Sequence, residues 1–150
     1  MDGISELLNN FDLAGILPKI ADFVSDLRFW VCVAMLLGPL LLLGLGLWYY
    51  LAPPEKANHM IGCRIYYGMG SQQAWKFTQR LAGIVWGGLG AVLTLVMAVV
   101  CIICAGKALI DLAFVAVICV AIEAVLALAG YITIQVIVTR NFDKDGKKRK

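Results

Sequence analysis

Three long runs of apolar residues constrain the fold of this chain more than any other feature of its sequence. They cover residues 29–51, 81–105 and 112–138, and only Glu123 and Gln135 interrupt the third run with strongly polar side chains. A helix needs about 20 residues, rising ~1.5 Å each, to cross the hydrocarbon core of a bilayer. Hydrophobic residues make up 61% of the chain and charged residues 15%, whereas an ordinary soluble domain has roughly 25% charged residues. The sequence therefore predicts an all-α integral membrane bundle of three transmembrane helices in a bilayer.

The basic residues divide unequally between the two sides that three spans define. The loop 52–80, Arg140 and the tail 141–150 together carry ten of the 13 Lys and Arg residues. The other side has Lys19, Arg28 and Lys107. Because cytoplasmic segments of membrane proteins carry an excess of basic residues, we expect the loop and the C-terminus in the cytoplasm and the N-terminus outside. The basic tail is expected to fix this topology and to contact anionic lipid of the inner leaflet, and not nucleic acid.

Residues 1–28 are predicted to form an amphipathic helical region at the outer surface. Apolar residues recur there at helical spacing between Ile4 and Leu27, and Gly15 and Pro18 interrupt the pattern in the middle. Two short helices lying on the surface satisfy this pattern. They are either a passive cover on lipid and bundle or a docking surface for an external partner. The region lacks the basic start and the short apolar segment of a cleaved signal peptide.

Small residues mark the faces on which the predicted spans should pack. In the second span Gly83, Gly87 and Ala91 recur every four residues. Nearly the same face also carries Gly90, Thr94 and Ala98. In the third span Ala116, Ala127 and Gly130 share a face with Glu123. Small residues at this spacing let two helices approach closely. Pro39 removes one backbone hydrogen bond from the first span, and a kink is expected there.

Glu123 is the one charged residue inside a predicted span. A charged group at mid-bilayer costs at least about a few kcal/mol, so this carboxyl is expected to be protonated or paired. Counting ~1.5 Å per residue from the span ends places Thr94 at an overlapping depth, which makes it a candidate partner. Three roles stay open for Glu123: a neutral group that strengthens helix packing, a site for an ion, proton or ligand, and a contact with another subunit.

The polar stretch between the first two spans, residues 53–80, holds the most specific pattern in the sequence. It contains Asn58, then Gly62-Cys63-Arg64, then Ser71 and Trp75, which lead directly into the second span. Ser71 can cap a helix that begins at the next residue. Trp75 is expected to anchor that helix at the membrane interface, and Arg64 to hold a lipid phosphate or a loop carbonyl.

This pattern resembles the signature of the SdpI family of small bacterial membrane proteins. In that family an Asn, a Gly-x-Arg, and a downstream Ser and Trp precede a transmembrane helix. The resemblance rests on Asn58, Gly62, Arg64, Ser71 and Trp75, although many members have Gly-Tyr-Arg-Thr where this chain has Gly-Cys-Arg-Ile. It implies a bacterial plasma membrane protein that performs no catalysis. It also implies immunity to a secreted peptide toxin, or relay of the toxin's presence to a cytoplasmic regulator.

No cluster of residue types in the sequence predicts catalysis or metal binding. The chain has a single histidine, His59, and its Cys101-x-x-Cys104 pair lies in a span without a second thiol pair beside it. We therefore expect no enzyme, no cofactor and no metal site. Two functions remain open: a binding and protection protein of the immunity type, and a small transporter, channel or accessory subunit in which Glu123 lines a path between copies of the chain. The transport function predicts flux that depends on Glu123, whereas the immunity function predicts protection or a binding partner without flux.

Overall fold

The fold is a bundle of three long helices, seen in a computed structural model that describes residues 13–55, 57 and 62–149. The helices are α1 (Leu13–Leu51), α2 (Gln72–Cys104) and α3 (Leu109–Asn141), and a 3₁₀ turn, Tyr66–Gly68, precedes α2. Each helix contains a stretch long and apolar enough to cross a membrane. α2 and α3 have 33 residues each, which corresponds to about 50 Å and exceeds a hydrocarbon core of about 30 Å. The predicted all-α, three-span fold class is confirmed.

Helix α1 continues through the segment that was predicted to form separate surface helices. It begins at Leu13 and includes both Pro18 and Pro39. The expected break near Pro18 is absent, and residues 13–28 extend the first span. The first part of the predicted surface region, residues 1–12, lies outside the described residues.

The two helices α1 and α2 form the tightest pair in the bundle. Gly46 of α1 meets the backbone of Gly87 of α2, and Gly90 meets the backbone of α1 in the same way. A Cβ atom on Gly83 would lie 2.7 Å from the backbone nitrogen of Tyr50. A Cβ atom at Gly46, Gly83 or Gly90 would lie within 3.0 Å of the facing backbone, so the close approach of the helices requires glycine at these three positions. The predicted small-residue face of the second span is confirmed at Gly83, Gly87 and Gly90.

The main buried core lies at one end of the bundle. Along the helices, most large apolar side chains point outwards. At this end the loop before α2 and the segment after α3 pack against all three helices. The core residues are Tyr49, Cys63, Ile65, Ala74, Ala82, Ile134, Val138 and Phe142. An apolar exterior with a compact core at one end is the arrangement expected when lipid surrounds the helices and a folded segment covers their end.

At the opposite end, Arg28 of α1 binds the turn between α2 and α3. Its guanidinium donates a hydrogen bond of 2.9 Å to the carbonyl of Ala105 and another to the carbonyl of Lys107. Ala105 is the C-cap of α2, and the last carbonyls of a helix have no partner within that helix. Arg28 therefore closes the α2 C-terminus and fixes α1 against the α2–α3 turn.

Candidate functional site

The signature residues lie at the end of the bundle where the core is. This region is termed the signature cap: loop residues 52–55, 57 and 62–71, the first turns of α2 (72–82), and the segment 142–149 after α3. Gly62, Arg64, Ser71 and Trp75 all belong to it. Asn58 lies outside the described residues.

Trp75 lies at the centre of the signature cap. Its side chain is fully buried, and its indole N–H donates a hydrogen bond of 2.7 Å to the carbonyl of Pro54. The edge of the ring occupies the space in front of Gly62, where a Cβ atom would lie 2.8 Å from two ring carbons. Gly62 also has a φ of 114°, which is a conformation that favours glycine. The expectation of an interfacial Trp75 is therefore wrong, because the loop covers this ring.

Gln79, which the sequence analysis did not single out, attaches the loop to α2. Its amide oxygen accepts a hydrogen bond of 2.8 Å from the Cys63 N–H, and its amide nitrogen donates one of 3.0 Å to the Cys63 carbonyl. Gln79 is fully buried. It lies one helical turn after Trp75, so both side chains reach the same part of the loop. A glutamine at the start of an apolar run was the available signal for this role.

Cys63 occupies the middle position of the Gly-Cys-Arg signature. Its side chain is buried, and burial raises the pKa of its thiol to about 11. The thiolate is the reactive form of cysteine, and at neutral pH this thiol is protonated. Cys63 therefore serves as a packing residue that fixes the backbone between Gly62 and Arg64.

Ser71 joins the loop, α2 and the segment after α3. Its hydroxyl oxygen accepts a hydrogen bond of 3.1 Å from the Ala74 N–H, which confirms the predicted N-cap. The same hydroxyl donates a hydrogen bond of 2.6 Å to the carbonyl of Gly146. One side chain thus starts α2 and binds the C-terminal segment.

The C-terminal segment folds back onto the signature cap and is not an extended basic tail. A β-bridge joins Phe142 to Lys148, and the carboxylate of Asp143 accepts hydrogen bonds from two backbone N–H groups in the turn between them. The buried ring of Phe142 packs on Phe77, with 5.3 Å between ring centroids. Gly146 has a φ of 69° and contacts the backbone of residues 70 and 71. The basic side chains remain exposed, so lipid contact is compatible with this fold. Residue 150 lies outside the described residues.

Arg64 is the signature residue whose side chain the cap presents at the surface. It is exposed, whereas its neighbours Cys63 and Ile65 are both 3% exposed. Two further cations, Lys76 and Arg80, line adjoining clefts of about 390 and 270 Å³ on the exposed side of α2. The larger cleft continues over apolar side chains toward the middle of α2. This end of the protein can therefore contact anionic groups at a membrane surface or on a partner.

Glu123 lies apart from the signature cap, between α3 and α1. It is 6% exposed, and its Oε2 atom lies so near Gly38 that a Cβ atom there would be 2.7 Å away. Its Oε1 atom is buried with no hydrogen-bond partner in the described part of the chain. The hydroxyl of Thr94 donates instead to the carbonyl of Gly90 in its own helix, at 2.7 Å. The expected hydrogen bond between Glu123 and Thr94 is not formed.

The cysteines do not combine with other side chains into a metal centre. All five are free thiols. Among residues 13–55, 57 and 62–149, no group of three or more His, Cys, Asp or Glu side chains could hold a metal ion. The described side chains that remain as candidates for recognition are therefore Arg64 on the cap and Glu123 between the helices.

A comparison with protein families finds a match over more than half of the chain. The model described as the SdpI/YfhL protein family matches residues 55–138. The matched region includes every signature position together with α2 and most of α3. No curated protein and no solved structure matches the chain.

Proposed function

The chain belongs to the SdpI/YfhL protein family, and from this membership we propose that it is a small membrane protein of the immunity type. It binds a secreted peptide toxin, or relays the toxin's presence to a cytoplasmic regulator. Its setting is the plasma membrane of a bacterium, with the N-terminus outside and the signature cap in the cytoplasm. The proposal includes no catalysis, no cofactor and no metal.

A binding function is supported by a division of roles among the described signature residues: three of them build the cap, and the fourth, Arg64, is exposed on it. Gly62, Ser71 and Trp75 make the contacts that build the cap. Arg64 is presented outwards between two buried neighbours. Catalysis requires a nucleophile or base within reach of a second group that activates it. A rigid scaffold that displays a planar cation is typical of recognition.

The charge of the cap suits partners with acidic surfaces. Arg64, Lys76 and Arg80 lie on exposed positions at this end, and the exposed lysines of the C-terminal segment add to them. Electrostatic complementarity favours anionic lipid or an acidic face of a cytoplasmic regulator as the partner here. The toxin approaches from the opposite side, where Arg28 fixes the α2–α3 turn. A second copy of the chain is a further candidate partner, because small residues on membrane helices allow close helix–helix packing.

Protection in living cells tests this proposal. The chain is expressed in bacteria that are sensitive to the peptide toxin against which the family's namesake gives immunity, and growth under toxin is compared with an empty vector. We expect the wild-type chain to restore growth. Trp75→Ala, which removes the centre of the cap, should not restore it, whereas Gly44→Ala should, because no atom lies within 4 Å of its added Cβ. Wild-type protein that reaches the membrane without restoring growth contradicts the proposal.

A second candidate function is transport, and it is favoured by the Oε1 atom of Glu123, which has no hydrogen-bond partner among the described residues. Intramembrane carboxyl groups often mark paths for ions or protons. Purified protein in liposomes with an imposed proton or sodium gradient tests this directly. Flux by the wild type that disappears in Glu123→Gln supports transport, and the absence of flux in the wild type removes it.

A further inference from the structure

A cleft of about 240 Å³ lies between α1 and α3 at the level of Glu123. Its lining consists of Gly38, Leu42, Val120, Glu123, Ala124 and Ala127. The carboxyl of Glu123 is the only charged group in that lining. The volume is several times the ~30 Å³ that one molecule occupies in liquid water. The cleft therefore has room for a side chain from outside the bundle.

The carboxyl in this cleft lacks the partner that its burial demands. Glu123 is 6% exposed, and its Oε1 atom has no hydrogen-bond partner within the part of the chain that the structure describes. Inside a bilayer there is no bulk water to take that place. A buried polar atom without a partner costs free energy that a donor from another molecule would recover.

Helix α1 contains Pro39 at the level of the carboxyl. Pro39 is fully buried and has no N–H, so the carbonyl of Met35 lacks its usual donor in the helix. Met35, Gly38 and Leu42 share one face of α1 at steps of three, four and seven residues. Gly38 on that face contacts Glu123. Met35 and Pro39 are buried and lie outside the lining of the cleft, so the carboxyl of Glu123 is the polar group that this cleft offers to a partner.

The shape of the cleft fits a helix better than a metal ion. Gly38, Ala124 and Ala127 are small residues of the kind that let a further transmembrane helix approach closely. Val120 and Ala124 are exposed, so the cleft opens to the outside of the bundle, where lipid would be. A hard cation such as Ca²⁺ takes about 6–8 oxygen ligands, whereas the one carboxyl in this cleft supplies two.

We propose that this cleft is a docking site for a membrane-inserted helix that places a hydrogen-bond-donating side chain against Glu123. The inference deepens the proposed function, because a secreted peptide toxin that inserts into the membrane is a partner of this kind. It names the place where such a peptide docks within the membrane.

Association with a designed peptide in liposomes tests the docking site without any toxin. The probe is a transmembrane helix of about 20 Leu and Ala residues with one central Asn, and its control has Leu at that position. Energy transfer between labelled protein and labelled peptide gives the two affinities. We expect the Asn peptide to bind about three- to twenty-fold more tightly than the Leu peptide, as intramembrane hydrogen bonds allow.

Variants of the cleft assign this preference to Glu123. Glu123→Leu should abolish it and should leave the melting temperature unchanged or higher, because Oε1 has no hydrogen bond to lose. Ala124→Leu, which fills the cleft from an exposed position and keeps the carboxyl, should also abolish it. Gln135→Leu is the matched control, since it removes an exposed polar side chain of α3 outside the cleft and should preserve the preference.

Two results overturn the docking site. One is equal affinity of the wild type for both peptides. The other is self-association of the wild type that Glu123→Leu abolishes, which assigns the cleft to a second copy of the chain. Because binding is measured apart from protection, a protein that binds the Asn peptide but fails to protect cells contradicts only the proposed function.

Discussion

Gln79→Ala tests whether one side-chain amide holds the signature loop on α2. The amide makes two buried hydrogen bonds to the backbone of Cys63, of 2.8 and 3.0 Å. Truncation leaves an N–H and a carbonyl without partners, and each unsatisfied buried group costs about 1–3 kcal/mol. Water that enters at the end of the bundle lowers this cost. We therefore expect a loss of about 2–4 kcal/mol in the stability of the cap.

The rate of Cys63 alkylation reports this loss. In the wild type the thiol is buried and its pKa is raised to about 11, so a water-soluble maleimide should modify it slowly at neutral pH. Opening that is easier by 2 kcal/mol corresponds to about 30-fold faster labelling. Mass spectrometry of the peptide that contains Cys63 separates this label from the thiols of the spans.

Gln73→Ala is the matched control, because Gln73 is an exposed glutamine in the same part of α2. It should leave the labelling rate unchanged. Gln79→Glu should lie between the two, since burial favours the protonated carboxyl, which accepts from the Cys63 N–H and donates to the Cys63 carbonyl but costs free energy to keep neutral. Labelling of Cys63 that is no faster in Gln79→Ala than in Gln73→Ala refutes the reasoning about the loop.

Three further predictions concern packing, the C-terminal segment and sidedness. Gly46→Ala should lower stability in detergent by about 1–3 kcal/mol, because Gly46 lies against the α2 backbone, whereas Gly44→Ala should have little effect, because no atom lies within 4 Å of its added Cβ. An equal loss in both would contradict the close helix contact. Gly146→Ala should release the C-terminal segment, because the φ of 69° at this position disfavours a Cβ atom. Trypsin should then cleave the segment faster than in the wild type, and cleavage of Gly146→Ala at the wild-type rate would contradict the docking of this segment. A thiol reagent added outside cells should label Ser5→Cys but not Lys147→Cys, and the reverse pattern would overturn the predicted orientation.

Features that depend on neighbouring residues could be predicted from the sequence. The three spans follow from the composition of continuous segments, and the N-cap at Ser71 from its place directly before α2. The contact face of α2 follows from glycines that recur at helical spacing, among them Gly83 and Gly87. Each of these signals lies within one helix or one turn.

Features that depend on the path of the chain could not be predicted in this way. Gln79 and Cys63 are 16 residues apart, and no periodicity shows that a loop returns to bind its own helix. The many basic residues of the C-terminus are typical of a solvated tail. Phe142, which is buried, and Gly146, which forms the turn, are single positions among these charges and give no pattern of their own. The expected pairing of Thr94 with Glu123 failed because equal depth in a bilayer does not specify which helices face each other.

The response of toxin-challenged cells to Arg64 variants tests most directly the central claim that the signature cap presents Arg64 for recognition. Arg64→Ala should keep membrane insertion, and labelling of Cys63 should remain slow, because Arg64 is exposed whereas Cys63 and Ile65 are buried. The same variant should abolish protection. Arg64→Lys should restore little, because a point charge does not reproduce a planar guanidinium. Full protection by Arg64→Ala, with the protein present in the membrane, would contradict the claim.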